Sequence, residues 1–441
     1  MDFLTKLQRS SYVRSIGIRG LNGGLGFAVS VLLARLLGPS DYGAYGVILS
    51  TAAIIAIPFT AGLPRAMARE VAAARVNEDP GLIRLVIRRG RNTFLLLLPI
   101  LAFAAIVAWK FGLTIAGTST GILVAALVAP MLAADSNRMA IMQGMGQAVR
   151  SQIPDMIVRP VGTAIIVTVL LVSVHHVGPE VGAVAYASAT LIGFLVGAWM
   201  IRPAIKALPD QPPKTYMSRK TFLLAVFTLS ILGSSKILSG NIDMILLNSL
   251  FSLKAAGLYK VALAGMALVV MGNNAIAAVA NTRLAEAVPG GDKSKIAAES
   301  DRTMFWALGS SFLVMLPVIF VGRPVISAVY GSEYLGSWSI LLILGLGFSV
   351  SQVFGPVESV AMFAGQQLRA AAAVLVSVAV SVGLAFLFAP VIGVHGIALA
   401  STLGLSLRQI LMAIFVWKKF DLNLTLIGTI SRALQARRQQ I

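Results

Sequence analysis

Leu36-Leu37-Gly38-Pro39-Ser40-Asp41-Tyr42-Gly43-Ala44-Tyr45 closes one apolar stretch and opens the next, and Leu250-Phe251-Ser252-Leu253-Lys254-Ala255-Ala256-Gly257-Leu258-Tyr259 does the same further along. Gly43 and Tyr45 fall on Gly257 and Tyr259 at a separation of 214 residues, close to half of the 441. A second, weaker match sets Gly146-Gln147 and Arg150 against Gly365-Gln366 and Arg369, at 219. Two similar separations point to a duplicated unit about half the chain long.

Working outward, the apolar windows between polar or turn-rich gaps number twelve, at 13–37, 42–64, 92–112, 118–142, 154–174, 181–201, 222–250, 256–279, 303–322, 337–362, 369–389 and 394–417. A membrane-spanning helix needs about 20 apolar residues, and 57% of this chain is apolar. Only 12% is charged, against about 25% in soluble domains. These values exclude a soluble globular enzyme and a disordered chain. The apolar run that starts after the basic residues at the N-terminus is too long for a signal-peptide core and reads as an uncleaved first span. There is no Cys, hence no disulfide framework, thiolate metal site or Cys nucleophile. The three His, two of them the neighbours His175 and His176, do not suffice for a metal centre. The reading calls for no metal and no cofactor.

The formal charge of +19 sorts by topology. With the N-terminus in the cytoplasm, the inside segments hold 26 Lys and Arg, seven of them from Arg65 to Arg91 and five from Arg202 to Lys220; outside segments and borders hold four, Lys110, Lys254, Lys260 and Arg323. This is the bias that orients membrane proteins, and it predicts both termini in the cytoplasm. It also leaves no basic surface for nucleic acid. Trp109, Trp199, Trp306, Trp338 and Trp417 fall at span ends, where indoles favour the headgroup level. The segments 80–91 and 421–441 are amphipathic and fit the cytoplasmic leaflet or a solvated loop. The Pro-rich stretch 202–220 is the clearest linker. The organisation expected is an N-lobe at 1–201, a linker at 202–220, a C-lobe at 221–417 and an amphipathic tail at 418–441. Each six-span half starts on the same side of the membrane, so the repeats are parallel.

The order and spacing of local features resemble the Wzx-type oligosaccharide flippases, in the superfamily that includes multidrug and toxic compound extrusion (MATE) proteins and lipid II flippases. The residues that carry the resemblance are Leu37 to Tyr45, Asn241-Ile242-Asp243 followed by Gly257-Leu258-Tyr259, Tyr330-Gly331-Ser332-Glu333-Tyr334, and Gly393-Val394-His395-Gly396-Ile397-Ala398-Leu399-Ala400. The similarity runs over essentially the whole chain. The loop at 250–254 departs from it in lacking a Gly-Pro, so the turn there is expected to differ. The resemblance implies an all-α, MATE-like integral membrane fold of about 12 transmembrane helices in two six-helix lobes. It further implies a V-shaped cavity open to one side at a time, and a cargo of polyprenyl-diphosphate-linked glycan carried from the inner to the outer leaflet of a bacterial cytoplasmic membrane. Implied partners are that anionic lipid-linked glycan, membrane lipids, and the polymerase and glycosyltransferases of the same process, with the chain acting as a monomer.

Ionisable groups at membrane depth are expensive and default to functional candidates. Asp135 with Arg138, and Asp155 with Arg159, are spaced to neutralise each other on one helix face. Arg35 is placed to snorkel. Arg19 and Asn22 sit among Gly20, Gly23 and Gly24 in the first span. Lys236 and Asp243 lie near one face of the seventh, with Gly240 and Asn241 between them and local unwinding expected; a cavity role stands against an internal ion pair of the two. Arg408 in the last span is balanced between a cavity and a snorkelling role. Glu358 follows Gly355-Pro356, a helix breaker, and reads either as a carrier of a proton or counter-ion or as a salt-bridge partner. Arg or Lys suits a diphosphate through charge-assisted hydrogen bonds. The expected substrate site is therefore Arg19, Asn22, Lys236, Asn241, Asp243 and Arg408, with Asp243 and Glu358 as ion- or proton-coupling candidates. Competing readings are an ion-coupled multidrug or lipid II exporter of the same fold, a non-transporting assembly protein, and a membrane glycosyltransferase. The last is disfavoured by short outside loops holding only Asp41, Glu180 and Glu333 as acids. No phosphate-binding loop for nucleotide hydrolysis is present.

Overall fold

The computed structural model describes residues 2–174, 178–214 and 218–438, with side chains from Gly20 onward except at 171, 173, 174, 232, 433 and 435–438. His175 and His176 fall outside the described residues. The chain forms two compact units, Met1–Asn248 with Ser252–Gly257, and Ser249–Phe251 with Leu258–Ile441. In the first unit lie α1 (Asp2–Ile55), α2 (Ile57–Thr60), α3 (Leu63–Val76), α4 (Pro80–Lys110), α5 (Thr120–Gly144), α6 (Ala148–Ile153), α7 (Arg159–Val174), α8 (Pro179–Lys206) and α9 (Arg219–Leu250). Helix α10 (Leu253–Ala287) begins there and continues into the second unit, which adds α11 (Lys293–Val329), α12 (Ser337–Ser351), α13 (Val357–Phe363), α14 (Gln367–Ile392), α15 (Val394–Phe420) and α16 (Leu426–Arg438).

Among the described residues eleven helices are long and apolar enough to cross a membrane. An all-helical answer follows from the solvent, because lipid offers no partner for a free backbone N–H or C=O. The first of the eleven, Gly20–Ile55, departs from helical geometry at Gly38 (φ 73°, ψ 171°). Only Gly adopts that conformation without strain, and Pro39 is preorganised to restart the helix. Taken on either side of Gly38, the candidate spans among the described residues number twelve. At the matching place in the second half the chain instead breaks between α9 and α10, where the Ser252 hydroxyl accepts from the Ala255 N–H at 3.3 Å. This is the different turn expected from the missing Gly-Pro.

The duplication is visible in the backbone. Gly146 and Gly365 both have positive φ (82° and 72°), and Gln147 and Gln366 share φ/ψ near −94°/43° and −97°/38°. Each Gly donates three residues back (to Gln143 and Met362 oxygens), and each Gln donates five residues back (to Met142 and Ala361 oxygens). The other repeat pair meets directly. A Cβ on Gly43 would lie 1.8 Å from the Leu253 oxygen, and one on Gly257 would lie 1.9 Å from the Pro39 oxygen. Each glycine thus faces the carbonyl four residues before the other, a reciprocity that a local two-fold produces. The start of α10 crosses α1 backbone to backbone, the contact that small residues permit in lipid.

Helix α9 belongs to the first unit for a similar reason. A Cβ on Gly62 would meet the Val226 oxygen at 2.1 Å, and one on Gly233 the Ala61 oxygen at 2.2 Å. Phe222 and Val226 join a core with Leu63, Met67, Val71, Leu82, Ile83 and Val86. In the second unit Leu284, Ile296, Val357, Val360, Met412, Val416 and Leu424 form the corresponding core.

Two membrane-surface expectations change. The segment 80–91 is no separate surface helix: it is the beginning of α4, capped by the Asp79 carboxylate, which accepts from the Leu82 N–H at 2.9 Å. Its apolar face is spent on the first core. Among the tryptophans, Trp109, Trp199, Trp306 and Trp417 are exposed, but Trp338 packs inward, its indole N–H donating to the Val318 oxygen at 2.9 Å under the Arg323 guanidinium. The tail does form a helix, α16. Thr429 and Arg432 bind Asp301 on α11, and Ile427, Ile430 and Leu434 point outward. At 37 residues, α11 is about 55 Å long, so its charged first turns extend beyond a core of about 30 Å. There Asp292 caps it, and the N–H of Lys295 holds the Asp292 carboxyl below its ordinary range.

Gly43→Ala or Gly257→Ala should lower stability by about 1–3 kcal/mol through overpacking, read as a fall in the detergent melting temperature. Gly309→Ala, where a Cβ meets nothing within 4 Å, should leave it unchanged.

Candidate functional site

In the first unit the buried charges sit where α5, α6, α7 and α8 pack. Asp135 and Arg138 are one helical turn apart on α5 and pair at 2.6 Å, with side chains 5% and 3% exposed. The guanidinium also approaches the Ser151 oxygen at 3.4 Å. It lies flat on α8, where a Cβ on Gly197 would be 2.4 Å from it. Gly197 is the reason a large cation fits there. Asp155 and Arg159 pair at 2.5 Å, and Arg159 stands 5.3 Å over the Tyr186 ring. Asp155 belongs to a π-helical turn, Pro154–Val158, in which the Arg159 N–H reaches five residues back to the Pro154 oxygen. Pro154 and Pro160 lack the N–H groups that α-helical pairing would use here, and the wider turn re-pairs the ladder. π turns of this kind occur at functional sites.

Both pairs expected from spacing therefore form, and both are formally neutral. A neutral pair does not compensate an anionic cargo unless it dissociates, and dissociation would strand a buried charge.

The stripe on α9 differs. Helix α9 is continuous through 234–241, against the unwinding expected there. The Asn241 amide donates to the Ile237 oxygen at 2.8 Å, a bond made alongside the helical ladder rather than in place of it. Asn241 and Asp243 are half-buried. Lys236 is exposed and makes no hydrogen bond or ion pair among the described residues, so the alternative of an internal Lys236–Asp243 pair is not realised. Lys236 is 17 residues from the start of α9, about 26 Å along it and near its middle. One turn on, a Cβ on Gly240 would meet nothing within 4 Å. In α1, Asn22 is half-buried with no hydrogen bond among the described residues. Gly20 and Gly24 beside it are equally open, and a Cβ on either would meet nothing within 4 Å. The Arg19 side chain lies outside the described ones.

In the second unit Arg408 pairs with Glu358 at 3.6 Å, 19% and 34% exposed. This is the salt-bridge alternative for Glu358, with a partner that the cavity and snorkelling readings of Arg408 do not name. The pair forms because the span that begins as α12 breaks: a short 3-10 turn, Gln352–Phe354, leads to Gly355 (φ 67°) and α13, which starts with Val357 and Glu358. Near it on α15, Arg408 Nε and Gln409 Oε1 are buried without a partner among the described residues, as are Asn273 Oδ1 and Asn281 Oδ1 on α10. These amides were missed in the sequence; their only signal was polarity within apolar runs. Two of the motifs used for recognition prove structural. Gly393 (φ 64°) turns α14 into α15, and a Cβ on Gly396 would be 2.7 Å from the Phe388 carbonyl. His395 bonds Ser339 at 2.8 Å. Among the described residues no three His, Asp or Glu gather as metal ligands.

The sequence profile of the family described as polysaccharide biosynthesis protein matches residues 13–282. No curated protein is matched. Among solved structures the chain is similar to an inward-facing multidrug resistance MATE family transporter of the MOP superfamily, with 16% identity, 93% of this chain and 98% of that one covered, and a TM-score of 0.70. It is similar to the lipid II flippase MurJ in an inward closed conformation, with 16% identity, 94% and 90% covered, and a TM-score of 0.68. A MOP superfamily transporter from Pyrococcus furiosus, described by the reverse polarity of its binding pocket, matches with 14% identity, 93% and 95% covered, and a TM-score of 0.58. The chain has this transporter fold and is a multi-pass membrane protein.

Removing one partner of the buried α5 pair should be costly. Arg138→Gln is expected to destabilise by about 3–5 kcal/mol, and Asp135→Leu with Arg138→Met to recover most of the loss. Chemical denaturation in mild detergent reads both.

Proposed function

Because the chain belongs to the polysaccharide biosynthesis protein family, we propose that it is a flippase that carries polyprenyl-diphosphate-linked oligosaccharide from the inner to the outer leaflet of a bacterial cytoplasmic membrane. Movement is by alternating access of two lobes, expected from the sequence at 1–201 and 221–417, with α9 packed in the first unit and both termini in the cytoplasm. The chain works as a monomer within a process that includes glycosyltransferases and a polymerase. It is a carrier and not an enzyme.

The observation that carries the reading is Lys236. A diphosphate brings fixed negative charge into a medium that penalises it, and it needs a cation that is not already neutralised. The four described acid–base partners of the first unit's core cancel, as do Glu358 and Arg408. Lys236 is exposed, unpaired among the described residues and near the middle of a helix long enough to span. Arg19 and Asn22 on α1, and Asn241 and Asp243 on α9, complete the proposed headgroup site. Arg408 supplies a cation once released from Glu358, and Asp243 and Glu358 are the groups proposed to couple an ion or proton. A cation-extruding pump would place an unpaired acid in the first span, which here carries Arg19 and Arg35 and none.

Lys236→Ala and Arg19→Ala should each reduce surface polysaccharide at least tenfold, with folded protein retained in the membrane. Lys236→Arg should keep most of it. Normal polysaccharide in Lys236→Ala cells would remove the assignment. A changed drug-susceptibility panel with unchanged polysaccharide would favour the multidrug alternative.

A further inference from the structure

A cavity of about 260 Å³ in the first unit is lined by Leu85, Arg88, Arg89, Asn92, Thr93, Arg219 and Phe222. It lies between the early turns of α4 and the first turn of α9, away from Lys236 and the buried pairs. Arg88, Arg89 and Arg219 all line it, and none of the seven lining residues is acidic. Like charges gathered in one small space repel and call for a counter-anion. Arg88 and Arg219 make no hydrogen bond or ion pair among the described residues. The nearby Arg84, by contrast, is satisfied by Asp210 at 2.6 Å and the Leu208 oxygen. Asn92 and Thr93 add neutral donors, and the buried Phe222 ring lies on the apolar side.

The exposed residues that follow on both helices identify the kind of anion. On α4, Arg88 and Asn92 continue at helical spacing into Leu95, Leu96 and Phe103; on α9, Arg219 continues into Leu223 and Phe227; all five apolar side chains are exposed. Both helices are membrane-spanning by length and composition. A phosphate in the cavity would therefore have two apolar stripes running away from it into the hydrocarbon. That is the arrangement of a lipid, with a charged head at the interface and chains below it. We propose that this cavity holds the phosphate headgroup of an anionic bilayer phospholipid, with the acyl chains along Leu96 and Phe103 and along Leu223 and Phe227. Such a lipid would tie α4 to α9 at the membrane surface, and its binding does not depend on which cargo the protein carries.

Native mass spectrometry of the purified full-length protein, titrated with phosphatidylglycerol or phosphatidylcholine at equal concentration, tests this. The intact protein should retain phosphatidylglycerol in preference to phosphatidylcholine. Arg88→Gln with Arg219→Gln should lower that retention about tenfold or more, and Arg88→Lys with Arg219→Lys should largely restore it. A photoreactive phosphatidylglycerol should label 85–96 and 219–227 in the unaltered protein, which decides the matter even if the Gln variant fails to fold. Equal retention of the two lipids, labelling elsewhere, or unchanged retention by the Gln variant would overturn the proposal. Displacement of phosphatidylglycerol by inorganic phosphate alone would make this a free-anion site, and preferential labelling by a polyprenyl diphosphate would make it a cargo site; either outcome also overturns it.

Discussion

Backbone-to-backbone contact at Gly43 and Gly257 is the constraint on which the first unit depends. Lipid tails are as apolar as Leu, so no hydrophobic force draws helices together within a bilayer. Close packing has to do it, and here the packing is as close as the chain permits, with a methyl group's position already occupied by the opposing carbonyl on both sides. Gly62 and Gly233 repeat the device between α9 and the α2–α3 bend. With α9 and the start of α10 held in this way, the polar stripe around Lys236 is carried on an uninterrupted helix rather than on a loop.

The same medium sorts the charges. A buried ion pair adds little net stability, but a lone buried charge is costly, and six of the charges within the described helices are accordingly matched: Asp135 with Arg138, Asp155 with Arg159, Glu358 with Arg408. The first is sealed, with both side chains at or below 5% exposure, and is a structural element. The other two are more open, and each lies at a helix irregularity, the π turn at 154–158 or the break at Gly355. An irregular turn has an alternative register available, so these pairs are better placed than the first to change with conformation.

Much of this was legible in the sequence because it depends on local spacing. Span number, the Gly-Gln turns at 146 and 365, the break at Gly355-Pro356 and the two i,i+3 and i,i+4 pairs all follow from residues within a turn or two of each other. The failures have a common cause in tertiary contact. The amphipathic face of 80–91 looked membrane-bound because its partners, Met67, Val71 and Phe222, are distant in sequence. Arg408 and Glu358 are 50 residues apart, and nothing local pairs them. Arg88 and Arg219 come to one cavity across more than a hundred residues. The expected unwinding at 234–241 failed because Ser, Gly and Asn weaken a helix without breaking it, and Gly233 is needed there for packing. The candidate substrate residues were legible only as polar groups in apolar runs.

The proposed transport requires that the protein itself move a lipid-linked glycan across a bilayer. The most direct measurement is in proteoliposomes made with the purified full-length protein and a fluorescent polyprenyl-diphosphate oligosaccharide, with the accessible leaflet followed by a membrane-impermeant quencher. Fluorescence lost beyond the initially accessible half, at a rate that rises with the amount of protein, is the result expected. A rate no different from protein-free vesicles, under each imposed ion gradient and membrane potential, would contradict the account.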